Sequence, residues 1–170
     1  YGHGMIGPEV VDCLCREARY LAVNTQVNAG NRGFNTVSKY WRADFLCVSE
    51  NEIRLDARSR GRDLQEIVED ISEKLSCERI IITQGPNGCL CYGRKEGFFE
   101  VPAVATRLVD RIGAGDAVFA ISSLCAAQGA PMEIVGFVGS LAGAQAVATV
   151  GHRSNVQRLP LIRQMETLLK

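Results

Sequence analysis

The sequence lacks an excess of either charge, a membrane-length apolar run, internal repeats and low-complexity tracts. Nineteen basic residues balance nineteen acidic ones, which argues against a nucleic-acid or membrane-surface partner. The first residues are not expected to form a signal peptide, and the most apolar stretch, residues 134–150, contains polar side chains and predicts a buried helix. With 46% hydrophobic and 22% charged residues over 170 positions, the composition predicts one compact domain with a small-molecule ligand.

Clear metal-binding and disulfide signatures are also missing. The seven cysteines form no CxxC pair and have no histidine cluster nearby, so reduced core thiols in a reducing cytoplasm are expected. Cys89 and Cys91 alternate along a predicted strand and should face one side. That placement leaves a shared metal or a disulfide open as an alternative.

Helix and strand signals alternate along the chain. Residues 64–75 have the spacing of an amphipathic helix, and the apolar run 79–83 is typical of a buried strand. A hairpin is predicted over residues 89–101, a helix from Gly115 to near Gly129, and another from Pro131. This order predicts an α/β fold with a mostly parallel sheet and helices on both faces.

Ligands of such folds bind at the carboxyl ends of the strands. One rim of the sheet should therefore carry Asn24 and the segments 49–52, 83–88 and 110–116. Because these segments contain most of the polar and glycine-rich positions that follow predicted strands, we expect the functional site there.

The most informative stretch is Asp110-Arg111-Ile112-Gly113-Ala114-Gly115-Asp116, which directly precedes a long apolar helix. The amides of Gly113, Ala114 and Gly115 should point outward, where the helix dipole favours an anion. Asp116 could take a proton from an attacking hydroxyl while the amides hold a transferring phosphoryl group. The alternative is an ordinary strand-to-helix turn that uses glycine for steric reasons.

This stretch resembles the C-terminal signature of the ribokinase-like (PfkB) carbohydrate kinases, Asp-Thr-x-Gly-Ala-Gly-Asp. The resemblance covers nearly the whole chain and corresponds to about the later half of a typical member. It implies a three-layer α/β/α, Rossmann-like fold and phosphoryl transfer from ATP, with Mg²⁺, to a hydroxyl of a sugar or sugar phosphate. Agreement is best with the heptose-phosphate kinase branch, whose Asp-Tyr-Gly-Lys-Gly segment resembles Tyr1-Gly2-His3-Gly4.

Two further family motifs occur in the expected order. The Asn-x-x-Glu motif implies that Glu52 organises magnesium through water, and Ser49 replaces the asparagine that reaches phosphate. An acid-rich helix N-terminus is the alternative there. The Thr-x-Gly-x-x-Gly motif is matched by Thr83, Gly85 and Gly88 and implies contact with the ribose and phosphates of the nucleotide. An ordinary hairpin entrance is the alternative for this segment.

The resemblance also implies an adenine pocket and a monovalent-cation site. The pocket would involve Gly139, Gly143 and Gly151, with Gly139 replacing an asparagine, although the Gly-x-x-x-Gly spacing of the first two also suits close helix packing. Asp110 would lie beside the monovalent cation. Arg111 replaces the threonine that follows Asp110 in the family, so potassium use stays open.

Residues 1–170 are thus interpreted as a single domain, the C-terminal nucleotide-binding and catalytic portion of a kinase whose N-terminal substrate and lid half is absent. We expect this portion to be inactive alone. One alternative is a non-catalytic nucleotide-binding module. In that case Ser49, Arg111 and Gly139, which depart from the family motifs, would be traces of a lost activity. The kinase domain of a bifunctional kinase and nucleotidyltransferase is another. The expected partner is a small-molecule sugar or sugar phosphate, and a homodimer is left open.

Overall fold

The computed structural model describes residues 6–26, 33–105, 109–110, 112–148 and 155–170. Within them the strands form a five-stranded sheet and follow one another across it in chain order. The first three strands pair in parallel, and the last two form an antiparallel hairpin beside the third. The strands are β1 (Ala22–Val23), β2 (Phe45–Ser49), β3 (Arg79–Thr83), β4 (Cys89–Gly93) and β5 (Gly97–Val101).

Helices cover both faces of this sheet. The described helices are α1 (Pro8–Glu17), α2 (Glu50–Asp56), α3 (Leu64–Lys74), α4 (Ala114–Ala127), α5 (Met132–Val147) and α6 (Arg158–Leu168). The expected three-layer α/β/α architecture is therefore confirmed. The sheet is mixed rather than mostly parallel, since two of its four strand pairings are antiparallel. Short connections join β3 to β4 and β4 to β5, which allows antiparallel but not parallel pairing. Within the described residues, no helix is both long and apolar enough to cross a bilayer.

The central strands are apolar and buried over their middle residues, because both of their faces are covered by helices. On β2, Leu46 and Val48 pack with residues of α1, α2 and α3, whereas Phe45 and Cys47 pack with residues of α4 and α5. The same alternation holds on β3, where Ile81 joins the α4 and α5 side. This pattern is typical of strands enclosed between two helical layers.

Arginines fix helix ends at the edge of the sheet where the parallel strands begin. Arg42, just before β2, donates through Nε to the carbonyl oxygen of Cys15 at the end of α1, at 2.5 Å. Arg79, the first residue of β3, donates through Nη1 to the carbonyl oxygen of Ala126 near the end of α4, at 2.9 Å. These bonds satisfy carbonyl groups that a helix C-terminus leaves without intrahelical partners. The arginine side chains thus occupy the edge where the parallel strands begin, and the opposite edge, where these strands end, is free of them.

Local boundaries differ modestly from those expected. The first strand, β1, is limited to Ala22–Val23, and a 3-10 helix spans Val37–Lys39 before β2. The helix expected from Gly115 begins at Ala114, and Gly129 follows its end with a φ of 78°. Both glycine-rich ends of α4 were therefore located to within a residue or two.

Substituting Gly136 on α5 by alanine is expected to destabilise the fold. The added Cβ would lie 2.2 Å from the Cys91 sulfur and 3.0 Å from a methyl carbon of Val101. Such overpacking typically costs about 1–3 kcal/mol, which exceeds the gain from replacing glycine in a helix. Urea unfolding should therefore show a lower free energy of unfolding for Gly136→Ala. Removing the sulfur with Cys91→Ala should reduce that cost, and an equal cost in both backgrounds would contradict the packing argument.

Candidate functional site

A cavity of about 780 Å³ lies at the edge where the three parallel strands end. Its walls come from the segments that follow β1, β2 and β3 and from the start of α4. The residues that line it are Asn24, Thr25, Gln26, Cys47, Val48, Ser49, Glu50, Asn51, Glu52, Thr83, Gln84, Gly85, Pro86, Ile112, Gly113, Gly115 and Asp116. The rim expected from strand order is present, because the carboxyl ends of neighbouring parallel strands meet at one sheet edge.

The start of α4 forms one wall of this larger cavity. Gly113 precedes the helix with a φ of 81°, in the left-handed region that glycine adopts without strain, and its carbonyl accepts from the Ala117 amide at 2.9 Å. The amides of the first helical turn have no intrahelical acceptor and lie at the positive end of the helix dipole. Gly115 and Asp116 are exposed in this turn and line the cavity. The arrangement can hold an anion beside a carboxylate.

The segment between β3 and β4 forms the wall next to α4. Thr83 ends β3, a 3-10 helix spans Gly85–Asn87, and Gly88 leads into β4 with a φ of 90°. A Cβ at Gly88 would lie 2.0 Å from the carbonyl oxygen of Val101, so only glycine fits this position without a shift of the backbone. The glycine of this motif therefore has a steric role in addition to any contact with a ligand.

A second cavity, of about 410 Å³, adjoins the first and shares Thr83, Gly85, Pro86 and Gly115 with it. No charged side chain of the described residues lines this smaller cavity. Its remaining lining residues are Gly88, Cys89, Ala103, Val104, Ala105, Ala114, Val118, Ser140, Gly143, Ala144 and Val147. The smaller cavity is thus mainly apolar and opens toward the amides at the start of α4, a combination that suits a ligand with one apolar and one anionic end.

The two predicted pocket glycines of α5 occupy different positions. Gly143 lines the smaller cavity, and a Cβ there would lie 2.9 Å from a methyl carbon of Val118. Gly139 is buried in the contact with α4, where a Cβ would lie 3.3 Å from Ser122 and Val118, and it lines neither cavity. Gly139 therefore has the helix-packing role that the Gly-x-x-x-Gly spacing allows, and Ser140 faces the cavity in its place.

Ser49 and Glu52 form a capping box at the start of α2. The Glu52 carboxylate accepts from the Ser49 amide and from the Ser49 hydroxyl, both at 2.7 Å, and the Glu52 amide donates to the Ser49 oxygen at 3.3 Å. The helix-terminus interpretation of this segment thus describes its local structure. Both residues also line the larger cavity, so the capping box fixes the carboxylate at the cavity wall.

Glu50 connects two walls of the larger cavity. Its carboxylate accepts from the Gln84 amide nitrogen at 3.0 Å and from Arg54 Nε at 2.7 Å. The hydrogen bond from Gln84 holds the pKa of Glu50 below its ordinary value, and the bond from Arg54 acts in the same direction. Because a lowered carboxyl pKa keeps the group ionised, Glu50 adds negative charge to a cavity that also contains Glu52 and Asp116.

The remaining predicted site residues lie outside both cavities or outside the described residues. Asp110 lines neither cavity, and its carboxylate accepts from the Ile112 amide at 3.0 Å, which orders the turn before α4. Gly151, Arg111 and the segment Tyr1-Gly2-His3-Gly4 lie outside the described residues. Within the described ranges, no group of three or more histidine, cysteine, aspartate or glutamate residues could hold a metal ion by itself.

Several cavity residues were not expected as site residues. Gln84 occupies a variable position of the Thr-x-Gly-x-x-Gly motif, so the motif assigns it no role. Its side-chain amide nonetheless donates to the Glu50 carboxylate. Ser140, which donates to the Pro102 carbonyl at 3.1 Å, and the alanines at 103 and 105 have no motif of their own. The Ser-x-x-Glu spacing of Ser49 and Glu52 was a usable signal for the capping box.

Known proteins resemble this chain over most of its length. Residues 15–158 match the family described as pfkB family carbohydrate kinase. Proteins named bifunctional protein HldE from Bradyrhizobium diazoefficiens and Citrifermentans bemidjiense are 34% and 27% identical over 89% of this chain. The chain spans 31% of the length of each. Escherichia coli phosphofructokinase-2 in complex with potassium superimposes with a TM-score of 0.78 at 16% identity over 96% of this chain and 52% of that one, which shows the fold.

Proposed function

The chain belongs to the pfkB family of carbohydrate kinases, and from this membership we propose that it is the nucleotide-binding and catalytic portion of an enzyme that phosphorylates a sugar or sugar phosphate with ATP. The observation that carries the proposal is the position of the α4 start. Gly115 lies where the two cavities meet, next to the exposed carboxylate of Asp116. An anion bound there would have an apolar cavity on one side and a polar, acidic cavity on the other.

We assign the nucleotide base and ribose to the smaller cavity. Its mainly apolar lining suits the faces of a base, and Thr83, Gly85 and Gly88 lie where the ribose and phosphates would pass toward α4. Gly143 keeps the wall at Val118 free of a side chain. Gly139 contributes through helix packing.

Phosphoryl transfer would take place at the start of α4. The amides of Gly113, Ala114 and Gly115 would hold the transferring group and stabilise the charge that develops on its oxygens. Asp116 would accept the proton of the acceptor hydroxyl as that oxygen attacks phosphorus, which raises the nucleophilicity of the oxygen. The acceptor would then occupy the larger cavity, because Asp116 lines that cavity.

The chemistry of the larger cavity is compatible with Mg²⁺ on the nucleotide. Mg²⁺ prefers carboxylate and water oxygens and is commonly held by one or two carboxylates together with phosphates. Glu52, fixed by Ser49, offers such an oxygen at the wall, and the ion would neutralise phosphate charge near the acids of this cavity. Asp110 is the residue we assign to a monovalent cation, since its carboxylate is held at the turn that leads into α4.

The acceptor is proposed as a sugar or sugar phosphate, with heptose phosphates the first to test because the sequence resembles the heptose-phosphate kinase branch. We further propose that residues 1–170 form one domain that a substrate-binding and lid half completes. The name of the HldE relatives favours a second arrangement, in which this kinase portion accompanies another enzymatic activity in one polypeptide.

A panel assay of the full-length protein tests the proposed function. With ATP and Mg²⁺, we expect ADP formation that depends on one sugar or sugar phosphate in a panel that includes heptose, hexose and pentose phosphates and free sugars. Transfer of the γ-phosphoryl group to the sugar should be visible by ³¹P NMR. ATP binding without phosphorylation of any panel member would instead favour the non-catalytic nucleotide-binding module.

A further inference from the structure

Three cysteines share the face of the sheet that underlies α4 and α5. Cys47 on β2 and Cys91 on β4 lie in one cross-strand row, since both pair with Ile81 of β3. Cys89 lies two residues before Cys91 on the same face, and the two sulfur atoms are 3.8 Å apart. All three thiols are free. The single-sided placement expected for Cys89 and Cys91 is thus present as a pair of thiols in contact.

The three thiols differ in how a small molecule could reach them. Cys89, the first residue of β4, follows Gly88 directly and lines the smaller cavity. Its side chain is 4% exposed. Cys91 lines neither cavity, has no exposed surface and lies beneath Gly136. Cys47 lines the larger cavity with 2% exposure. A molecule small enough to enter the smaller cavity therefore meets the Cys89 thiol first.

We propose that Cys89 is a site of reversible modification by small disulfides that enter the smaller cavity, and that the resulting adduct occupies this cavity. In the reaction, the Cys89 thiolate attacks one sulfur of the disulfide. A new sulfur–sulfur bond forms, the bond within the reagent breaks, and the other half leaves as a thiolate. Cys89 is oxidised and the reagent is reduced, and a free thiol reverses the step. The adduct would also exclude nucleotide from this cavity, a consequence that rests on the proposed function.

Cys91 acts as a positioning residue for this reaction. The Cys91 thiol can donate to the Cys89 sulfur, and this bond lowers the pKa of Cys89. The same bond, together with burial, raises the pKa of Cys91. Of the two sulfur atoms, only that of Cys89 lies at a cavity, where water can solvate a thiolate. Cys47 is a further titratable group near this pair, and burial raises its pKa. Among the described residues, no charged side chain lines the smaller cavity. The thiolate is the reactive form of cysteine.

Cysteine-resolved labelling tests the proposal on the full-length, reduced protein. The probe is cystamine, a small disulfide, and peptide mapping follows each cysteine over time. Exposed Cys13 is the fast internal reference, and Cys77, fully buried with a pKa raised to about 12, is the slow one. We expect Cys89 to react roughly tenfold or more faster than Cys77. Equal rates for Cys89 and Cys77 would overturn the site.

A pH profile isolates the role of Cys91. In the parent protein, the rate at Cys89 should rise with a midpoint below that of an ordinary thiol, about 8.5. Cys91→Ala should move the midpoint to higher pH, and Cys91→Ser, which keeps a donor, should restore it. An unchanged midpoint in Cys91→Ala would overturn the positioning role, because a purely structural residue would not shift a titration.

Labelling in the presence of ATP and Mg²⁺ separates this inference from the proposed function. Nucleotide in the smaller cavity should slow the reaction at Cys89 and leave that at Cys13 unchanged. Rapid labelling of Cys89 that ATP does not slow would support the thiol site and contradict the assignment of the nucleotide to this cavity. Slow labelling without ATP would overturn the thiol site and leave that assignment unaffected.

Discussion

Replacing Asp116 by asparagine in the full-length protein is expected to lower the rate of phosphoryl transfer by about 10²- to 10⁴-fold, with nucleotide binding largely retained. Asparagine has nearly the same shape as aspartate but cannot accept the hydroxyl proton. The amides at the start of α4 belong to the backbone and keep their positions. The change should therefore appear in kcat, and the affinity for ATP measured by calorimetric titration should stay close to that of the parent.

The matched control is Glu66→Gln. Glu66 is an exposed acid in the first turn of α3 and lines neither cavity, so its substitution also removes a negative charge near a helix N-terminus. Each substitution should lower stability by about 0.3–1 kcal/mol through the helix dipole. Only Asp116→Asn should lose activity. A kcat within a few-fold of the parent for Asp116→Asn would remove this residue as the general base.

The sequence was sufficient to predict the three-layer architecture and the edge of the sheet at which the two cavities lie. The strands Phe45–Ser49 and Arg79–Thr83 each contain an unbroken apolar run, 45–48 and 80–82, whose two faces are both buried, and such strands need helices on either side. Because the first three strands run parallel to one another, the segments that follow them meet at the same edge of the sheet. The larger cavity accordingly brings Ser49, Glu52 and Thr83 next to Gly113 and Asp116.

The details that sequence missed depend on how helices dock and how side chains meet across loops. Neighbouring positions on a helix differ by about 100° in direction, so whether Gly139 or Ser140 faces the cavity depends on the rotation of α5 against α4. No local pattern specifies that rotation. The bond between Gln84 and Glu50 likewise joins segments that are 34 residues apart, and only the folded sheet brings them together.

A valine at Gly115 is expected to weaken nucleotide binding about tenfold or more without unfolding the protein. Among the described residues, no atom outside the adjoining residues and the backbone of α4 lies within 4 Å of the position that a Cβ would take at Gly115, so the fold can accept a side chain there. The space is open because Gly115 lines both cavities, and a branched side chain would project into the region we assign to the phosphates. Affinity for ATP with Mg²⁺, measured by calorimetric titration, should fall about tenfold or more, or ~1.4 kcal/mol. Gly115→Ala should have an intermediate effect.

Gly61→Val provides the matched control for this substitution. Gly61 is exposed, also has no atom within 4 Å of a Cβ, and lines neither cavity, so the same substitution there tests added bulk without obstructing the site. Both valine variants should unfold at a urea concentration close to that of the parent, and only Gly115→Val should lose ATP binding. If Gly115→Val binds ATP as tightly as the parent, the amides at the start of α4 do not hold the nucleotide phosphates. Loss of binding with an intact fold would instead locate the phosphates at this helix start, the position from which Asp116 can act on the acceptor hydroxyl.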